Sequence, residues 1–419
     1  MNIARVGIHW VVGNHKGLSL MRLRGIRCRM HGWKLDRYVE RCRYRTFMKK
    51  RKHHRKVKNA RANFWHRPFQ LLPGDEVFAM IVQERYAVIR VGNQSVICPH
   101  GSLILNLPEV LDFEHNYEDS ARTIAIFRRA LESGIRISYV SFEKLKHVTP
   151  ACVMAFASYA DIWKSKAPQI HARCETWAPE VELAFAQTGF FDMLGIRHRD
   201  SPIKNFSGRR YMPLRSCNII TAEGRNVGAE TKRLRKDIET FMGRSLKGVR
   251  MYDSVSEAIL NVRNHAYKGM VRGRLPFRWW ISVSYDEMNS ELGIIIFDHG
   301  YGIPRTMNTS TKFDRIRRLM SLREGGWSEK SRLCIAFERY RRKNGTSRPF
   351  VEGRGHGCED IARLIQKEGA NQVRKGCRLS VISGMARYDL ENTVISGRGE
   401  AKALKLKLQG TLIEWKIKL

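Results

Sequence analysis

The chain has 419 residues, enough for two domains with separate cores, because a single hydrophobic core stops growing at roughly 250 to 300 residues. Hydrophobic residues make up 43% of the chain and aromatic residues 10%, a composition that excludes wholesale disorder. The sequence lacks any stretch of about 18 uninterrupted apolar residues, which excludes a transmembrane helix. Nine cysteines are scattered without a CxxC pair, a pattern that predicts reduced thiols and a cytoplasmic location.

Basic residues are concentrated at the N-terminus. The formal net charge is +36 at pH 7, and residues 1–67 hold 20 Lys or Arg against only Asp36 and Glu40. Such a segment is attracted to polyanions, because neutralised phosphates release their counterions. The charge therefore predicts nucleic acid or an anionic membrane surface as a partner. We expect residues 1–70 to form a basic arm, either a solvated, disordered extension or one with an amphipathic helix around residues 33–47.

Residues 71–200 alternate between strand and helix patterns, which predicts a small α/β domain. Strands are predicted over 76–82, 86–91 and 136–140, and helices over 120–133 and 151–163. The second helix follows Thr149-Pro150, which places a proline in its first turn. The basic segment 201–245 reads as a connector that holds a turn at 207–213 and a charged helix at 228–243.

The order of these elements resembles that of the STAS fold of anti-anti-sigma regulators. The sequence Gly-Phe-Phe at residues 189–191, after a predicted helix, adds to this resemblance. In that family a Ser or Thr before the central helix can be phosphorylated by a partner kinase. The resemblance therefore implies Thr149 as the phosphorylation site, while service as the N-cap of the helix is its simpler alternative role.

A polar stripe marks the helix predicted over residues 256–266. Glu257, Asn261 and His265 are spaced four residues apart and share one helical face. A carboxylate and a carboxamide one turn apart can divide the work of ATP chemistry. The carboxylate takes a proton from the attacking oxygen, and the amide oxygen binds Mg²⁺, which prefers oxygen ligands.

Two glycine-rich turns follow this helix. Two predicted strands, over 279–285 and 292–297, lead into the first turn, where Asp298 precedes Gly300 and Gly302. An Asp at the end of a buried strand, with glycines that let the backbone approach a ring, suits recognition of the adenine amine. The second turn contains Gly353, Gly355 and Gly357 and opens a helix, so its free N–H groups can face phosphate oxygens.

In this order the three elements resemble the N, G1 and G2 boxes of the GHKL superfamily, which includes gyrase, Hsp90-type chaperones, MutL proteins, histidine kinases and anti-sigma-factor serine kinases. Strands predicted near the C-terminus, with Gly410-Thr411 at the family's G3 position, extend the resemblance over residues 246–419. It implies an α/β (α+β) chain that ends in a two-layer Bergerat sandwich with a mixed sheet.

The resemblance also implies the site. Glu257 would be the general base and Asn261 the Mg²⁺ ligand, with His265 on the pocket wall. Asp298 would bind adenine beside Thr411. Further binding residues would be Gly300 and Gly302, which shape the adenine turn, and Gly353, Gly355 and Gly357, which cradle the phosphates. Residues 305–352 would form a basic ATP lid, in which Ser347 or Arg348 contacts the γ-phosphate.

Three functions remain open on the sequence. The first is a protein Ser/Thr kinase or ATPase that uses Mg-ATP and acts on a protein partner. The second is an ATP-gated switch that moves the basic regions on nucleic acid. The third is a nucleotide-binding module in which hydrolysis matters little. Histidine-kinase activity is not expected, because no His is followed by an acidic residue on a dimerisation helix. Many superfamily members dimerise, so a homodimer is compatible with the resemblance.

Overall fold

The computed structural model describes most of the chain between residues 102 and 419 and two groups of three strands before it. The described residues are 9–15, 18–23, 26–31, 77–83, 86–91, 94–99, 102–133, 135–164, 176–196, 208–218, 227–246, 251–268, 270, 275–309, 327–338, 357–370, 376–391 and 399–419.

The secondary structure mixes helices and strands. The helices are α1 (Tyr117–Ser133), α2 (Pro150–Lys164), α3 (Pro179–Gln187), α4 (Phe190–Leu194), α5 (Val227–Met242), α6 (Met251–Asn261), α7 (Ile303–Thr309), α8 (Glu329–Glu338) and α9 (Gly357–Ala370). A π-helical turn, Val262–Ala266, continues α6. The strands are β1 (His9–His15), β2 (Leu18–Leu23), β3 (Ile26–His31), β4 (Val77–Gln83), β5 (Tyr86–Val91), β6 (Gln94–Pro99), β7 (Ser102–Asn106), β8 (Val110–Leu111), β9 (Arg136–Ser141), β10 (His147–Val148), β11 (Arg209–Asn218), β12 (Arg278–Asp286), β13 (Glu291–Asp298), β14 (Arg378–Glu391) and β15 (Glu400–Lys418). The predicted α/β class is confirmed.

A five-stranded sheet forms the centre of the C-terminal half. Its strand order is β11-β12-β13-β15-β14, and each neighbouring pair is antiparallel. The mixed sheet predicted from the resemblance is therefore wrong for the described strands. Pairing of β13 with β15 places Asp298 opposite Thr411, so two predicted site residues are neighbours across the sheet.

Both faces of this sheet are buried, which explains the long apolar runs in its strands. On β13, Ile294 and Ile296 face α5, α6, α8 and α9, while Ile295 and Phe297 face the preceding part of the chain. Trp415 on β15 is fully buried against the helical layer, and its indole N–H donates to Ile361 O of α9 at 3.0 Å.

The preceding part, residues 77–196, packs directly on the second face of the sheet. Here β4, β5 and β6 form an antiparallel sheet, and β7 pairs with β9 in parallel through the crossover helix α1. Helices α1 and α2 share one hydrophobic core with Trp280, Phe297 and Leu412 of the C-terminal sheet. The described residues do form two hydrophobic cores, but the first is not confined to residues 71–200, because one face of the C-terminal sheet contributes to it.

Two further expectations about organisation need correction. The segment 201–245, read as a connector, contributes the edge strand β11 and the helix α5, which packs beside α6, so it belongs to the C-terminal unit. The turn expected at 207–213 lies mostly within β11. The basic arm contains the antiparallel strands β1, β2 and β3, whereas the helix expected near residues 33–47 lies outside the described residues.

Candidate functional site

Helix α6 carries the first two predicted site residues to the N-terminus of α9. A Cβ built on Gly357 would lie 2.5 Å from Glu257 Oε1 and 2.9 Å from Asn261 Nδ2. The two helices are also joined by Ser254 Oγ, which donates to Asp360 O at 2.6 Å. The first turn of α9 therefore lies against the carboxylate and the amide, and a side chain at position 357 would displace these two groups.

The environment of Glu257 favours its protonated form. Burial raises the pKa of this carboxyl above its ordinary value, and the negative charge of nearby Asp360 raises it further. A general base works best when its pKa lies closer to the working pH than that of an exposed carboxylate. Asn261 Nδ2 is buried and has no hydrogen-bond partner among the described residues, so the amide is available to a ligand.

Asp298 ends β13 as a buried carboxyl with 3% of its surface exposed. Burial raises the pKa of Asp298 to about 7, although hydrogen bonds from the Gly300 and Thr411 backbone oppose the shift. The Gly300 N–H donates to Asp298 Oδ1 at 2.7 Å. Asp298 is thus held in a fixed orientation at the start of residues 298–302, named here the G1 loop.

Close backbone approaches explain the glycines around Asp298. A Cβ on Gly300 would lie 2.4 Å from Ala266 O, and one on Gly410 would lie 1.8 Å from Asp298 O. Gly302 and Gly410 also have positive φ angles of 85° and 95°. These positions need glycine for steric reasons, whether or not a nucleotide binds.

The G1 loop rests on the C-terminal end of the α6 helix. The Tyr301 N–H donates to Ala266 O at 2.8 Å, which joins the loop to the π-helical turn. His265 belongs to the same turn and its side chain is exposed. The sequence placed His265 in line with Glu257 and Asn261, but that spacing assumes an unbroken α-helix and the π turn changes it. His265 therefore does not share one helical face with Glu257 and Asn261, and its place on the pocket wall stays a prediction.

Four predicted binding residues lie outside the described residues: Ser347, Arg348, Gly353 and Gly355. The predicted lid, residues 305–352, includes α8, and this helix is packed in the core. Leu333 is fully buried, and the Phe337 ring stacks on Tyr388 with centroids 4.7 Å apart. Residues 329–338 are therefore a fixed part of the helical layer, which corrects the expectation of a lid over the whole range.

The described side chains fit Mg-ATP in two respects. Gly357 brings the N-terminus of α9 directly against Glu257 and Asn261, and the buried Asn261 Nδ2 is a donor without a partner among those residues, which suits a phosphate oxygen, while the Oδ1 of the same amide suits Mg²⁺. In the described part of the chain, His, Cys, Asp and Glu form no group of three or more that could hold a metal. A Mg²⁺ ion would therefore depend on Asn261 together with phosphate oxygens.

Several residues of the site carried no sequence signal. Ser383 on β14 is fully buried, accepts a hydrogen bond from the Ile303 N–H at 2.8 Å, and lies 3.0 Å from Thr411 Oγ1. The Tyr267 hydroxyl accepts from the His299 N–H at 2.9 Å and donates to Arg278 O. The closeness of Tyr267 to α6 in the sequence is the one signal that could have pointed to it, and Ser383 has no such signal.

Thr149 lies on the other side of the sheet, where two cavities of about 70 and 430 Å³ share Thr149, Pro150 and Arg209 as lining residues. Its carbonyl accepts from the Val153 N–H at 2.9 Å, so α2 begins where the sequence predicts. The buried Thr149 hydroxyl makes no hydrogen bond to the helix backbone, so the expected side-chain N-cap is wrong. These cavities lie apart from Glu257 and Asp298.

Comparison of the chain with known protein families, with curated proteins and with solved structures finds no match. The GHKL and STAS resemblances therefore stay predictions. Among the described helices, none is long and apolar enough to cross a membrane.

Proposed function

We propose that this chain binds Mg-ATP in the manner of GHKL proteins. The observation that carries the proposal is the close approach of Glu257 and Asn261 to Gly357 at the N-terminus of α9, next to the loop that holds Asp298. The three segments are distant in sequence: α6 contacts Gly357 through Glu257 and Asn261, and its π-helical turn contacts the G1 loop through Ala266. Asp298 would accept a hydrogen bond from the adenine amine, and the α9 N-terminus would face the phosphates.

The reaction that best suits these groups is hydrolysis of ATP or transfer of its γ-phosphoryl group to a protein Ser or Thr. Glu257 would take the proton from a water or hydroxyl oxygen as that oxygen bonds to the γ-phosphorus. The bond from this phosphorus to the bridging oxygen would break, and ADP would leave. A Mg²⁺ ion held by Asn261 would neutralise phosphate charge during transfer.

A regulatory role in the cytoplasm fits the arrangement of the two units. The free cysteines in the described residues, which include buried Cys98 and Cys377, are compatible with a reducing compartment. The STAS-like unit covers one whole face of the nucleotide-binding sheet, so a protein partner that binds this unit would be close to the ATP site.

A second candidate function is an ATP-gated switch on nucleic acid. The observation that favours it is the excess of Lys and Arg in residues 1–67. Each phosphate contact makes binding more sensitive to salt. We expect weak, salt-sensitive binding to DNA or RNA that is lost when residues 1–67 are deleted. If ATP does not change the affinity of the full chain for nucleic acid, the switch function is excluded.

The primary proposal is tested with two variants that should separate binding from turnover. Glu257→Ala should lower ATP turnover by at least about 100-fold and leave nucleotide binding intact, because it removes the proton acceptor. Asp298→Ala should weaken binding itself by about tenfold or more, since it removes a hydrogen bond to a charged group. Glu400→Ala, which removes an exposed carboxylate on β15, is the control. The reverse pattern would overturn the assignment.

The fate of the phosphoryl group separates the two reactions. ATP labelled on the γ-phosphate should label Ser or Thr on a protein partner, or on this chain, if the protein is a kinase. Release of free phosphate with no labelled protein in the presence of candidate partners would identify an ATPase.

A further inference from the structure

Asp298 and His299 are consecutive, yet their side chains lie on opposite faces of the C-terminal sheet. The Asp298 side chain lies on the face of α6, whereas the His299 ring is buried against α2 of the N-terminal unit. The G1 loop therefore contacts both units. Two separate sets of polar contacts join it to the N-terminal unit.

The first set holds the His299 ring. His299 Nε2 lies 2.9 Å from Ser158 Oγ, and the Ser158 hydroxyl donates to Ala155 O at 2.7 Å. Because that hydroxyl proton is already used, Nε2 must carry the ring proton and donate to Ser158. The Tyr159 ring stacks on the imidazole with centroids 4.0 Å apart. Burial, helped by the charge of Arg128, lowers the pKa of His299 well below its ordinary value, so the ring is neutral.

The second set holds the backbone one residue later. Arg128 of α1 is 8% exposed, and its Nη1 donates to Gln409 Oε1 at 2.9 Å. Gln409 Nε2 in turn donates to Gly300 O at 2.6 Å. Gly300 is the residue whose N–H binds the Asp298 carboxylate, so this chain of contacts ends on the carbonyl of the same residue, one peptide group further along the loop.

We infer that Ser158, His299, Arg128 and Gln409 are positioning residues, through which helices α1 and α2 fix the loop that carries Asp298. This inference rests on the proposed nucleotide site. The shared apolar core already holds the two units together, so these polar contacts are not needed for that purpose. Their role is to position the G1 loop. The N-terminal unit would thus complete the nucleotide site without touching the nucleotide, and a displacement of α1 or α2 would change nucleotide affinity.

Two variants of the full chain test this inference. Ser158→Ala removes the acceptor of the His299 proton, and Gln409→Met removes both bonds of the second set while keeping a side chain of similar length. Each should weaken binding of a non-hydrolysable ATP analogue by about 5-fold or more, the lower limit for energetic coupling between sites. The turnover rate at saturating ATP should stay within about twofold, because Glu257 and Asn261 are unchanged.

The matched control is Asp161→Ala. Asp161 lies on the same helix as Ser158 and accepts hydrogen bonds from Arg278 Nη1 at 2.9 Å and Trp280 Nε1 at 3.1 Å, both on β12. Neither bond involves an atom of the G1 loop; the Trp280 ring lies 4.4 Å from the His299 ring, but it is fully buried in the shared core, which holds it without Asp161. The inference predicts that Asp161→Ala keeps nucleotide affinity, and an equal loss in all three variants would overturn it.

Hydrogen exchange provides a readout that does not need nucleotide. Without any ligand, the amides of residues 299–302 should exchange faster in Ser158→Ala and Gln409→Met than in the wild type and in Asp161→Ala. If the wild-type protein binds no nucleotide, the proposed function fails, and the exchange data alone decide whether these residues position the loop. Unchanged exchange in Ser158→Ala and Gln409→Met would overturn the inference.

Discussion

Gly410 lies on β15 beside the end of β13, next to Thr411, which pairs with Asp298. Its φ angle is +95°, and a Cβ would lie 1.8 Å from Asp298 O and 3.0 Å from the Cα of His299. Both atoms belong to the backbone, so they cannot move away from a Cβ at position 410 without shifting the G1 loop. The glycine is therefore required by the same loop that positions Asp298.

We predict that Gly410→Ala lowers the free energy of unfolding by at least about 3 kcal/mol, because the left-handed strain of about 1–2 kcal/mol is added to a backbone clash. Gly243→Ala is the matched control, since Gly243 has a φ of +68° and no atom within 4 Å of its Cβ position. Gly243→Ala should lower the free energy of unfolding only by the left-handed strain of about 1–2 kcal/mol. Chemical denaturation of both variants measures the difference, and equal losses would show that the close approach at Gly410 is absent.

The buried carboxyl of Asp298 predicts a pH dependence for nucleotide binding. Its pKa of about 7 lies above the ordinary value, so the free protein carries it protonated below that pH. Adenine recognition favours the ionised acceptor, and binding must then release one proton. Affinity for the ATP analogue should fall by about tenfold per pH unit below pH 7 and level off above it.

The control for this prediction is Asp298→Asn, which cannot ionise. It should bind more weakly at pH 8 and lose the part of the pH dependence that arises from position 298. Titrations between pH 5.5 and pH 8.5, at roughly half-unit steps, compare the two proteins. An identical pH profile in the variant would remove Asp298 from the account of binding.

At the level of elements, helices α6 and α9 pack closely at their junction. A Cβ on Gly357 would meet the ends of the Glu257 and Asn261 side chains at 2.5 to 3.0 Å. Side-chain ends can rotate away, unlike the backbone at Gly410. A substitution here should therefore displace the two groups without unfolding the protein.

We predict that Gly357→Ala lowers ATP turnover by at least about tenfold, because the general base leaves its position. The free energy of unfolding should change by less than about 1 kcal/mol. Steady-state kinetics and denaturation of the same preparation test both statements. Normal turnover in a folded variant would mean that Glu257 and Asn261 do not act at this junction.

Much of the secondary structure follows from sequence patterns, while the arrangement of the site follows only in part. The apolar runs at 279–285 and 292–297 predicted β12 and β13, because a strand buried on both faces has a continuous hydrophobic pattern. Glu257 and Asn261 meet Gly357 as expected. The prediction that His265 shares a helical face with Glu257 and Asn261 is wrong, because Val262–Ala266 form a π turn. The G1 loop contacts this turn through the hydrogen bond from Tyr301 N–H to Ala266 O.

At the level of the whole molecule, the packing of the N-terminal unit on the sheet could not be predicted from the sequence. A continuous apolar run shows that a strand is buried on both faces, but it does not show what covers each face. Trp280 and Phe297 pack against α2 and its neighbours, and Leu412 and Leu408 extend the same core. The edge strand β11 was missed for a related reason, because its Arg-rich sequence has the composition of a connector.

The two faces also give the chain two candidate ligand sites that are separated by the sheet. One site includes Asp298, Thr411 and the α6–α9 junction on the helical face. The other includes the cavities at Thr149 and Arg209 on the face of the N-terminal unit. The central claim places ATP at the first of these.

Hydrogen exchange of the full chain with and without a saturating Mg²⁺ complex of a non-hydrolysable ATP analogue tests this claim most directly. The account predicts slower exchange in three segments that are distant in sequence: the end of α6 with its π turn, the G1 loop at residues 298–302, and residues 409–411. Protection of residues 147–153 and 209–211 instead, or no protection anywhere, would contradict the proposed nucleotide site.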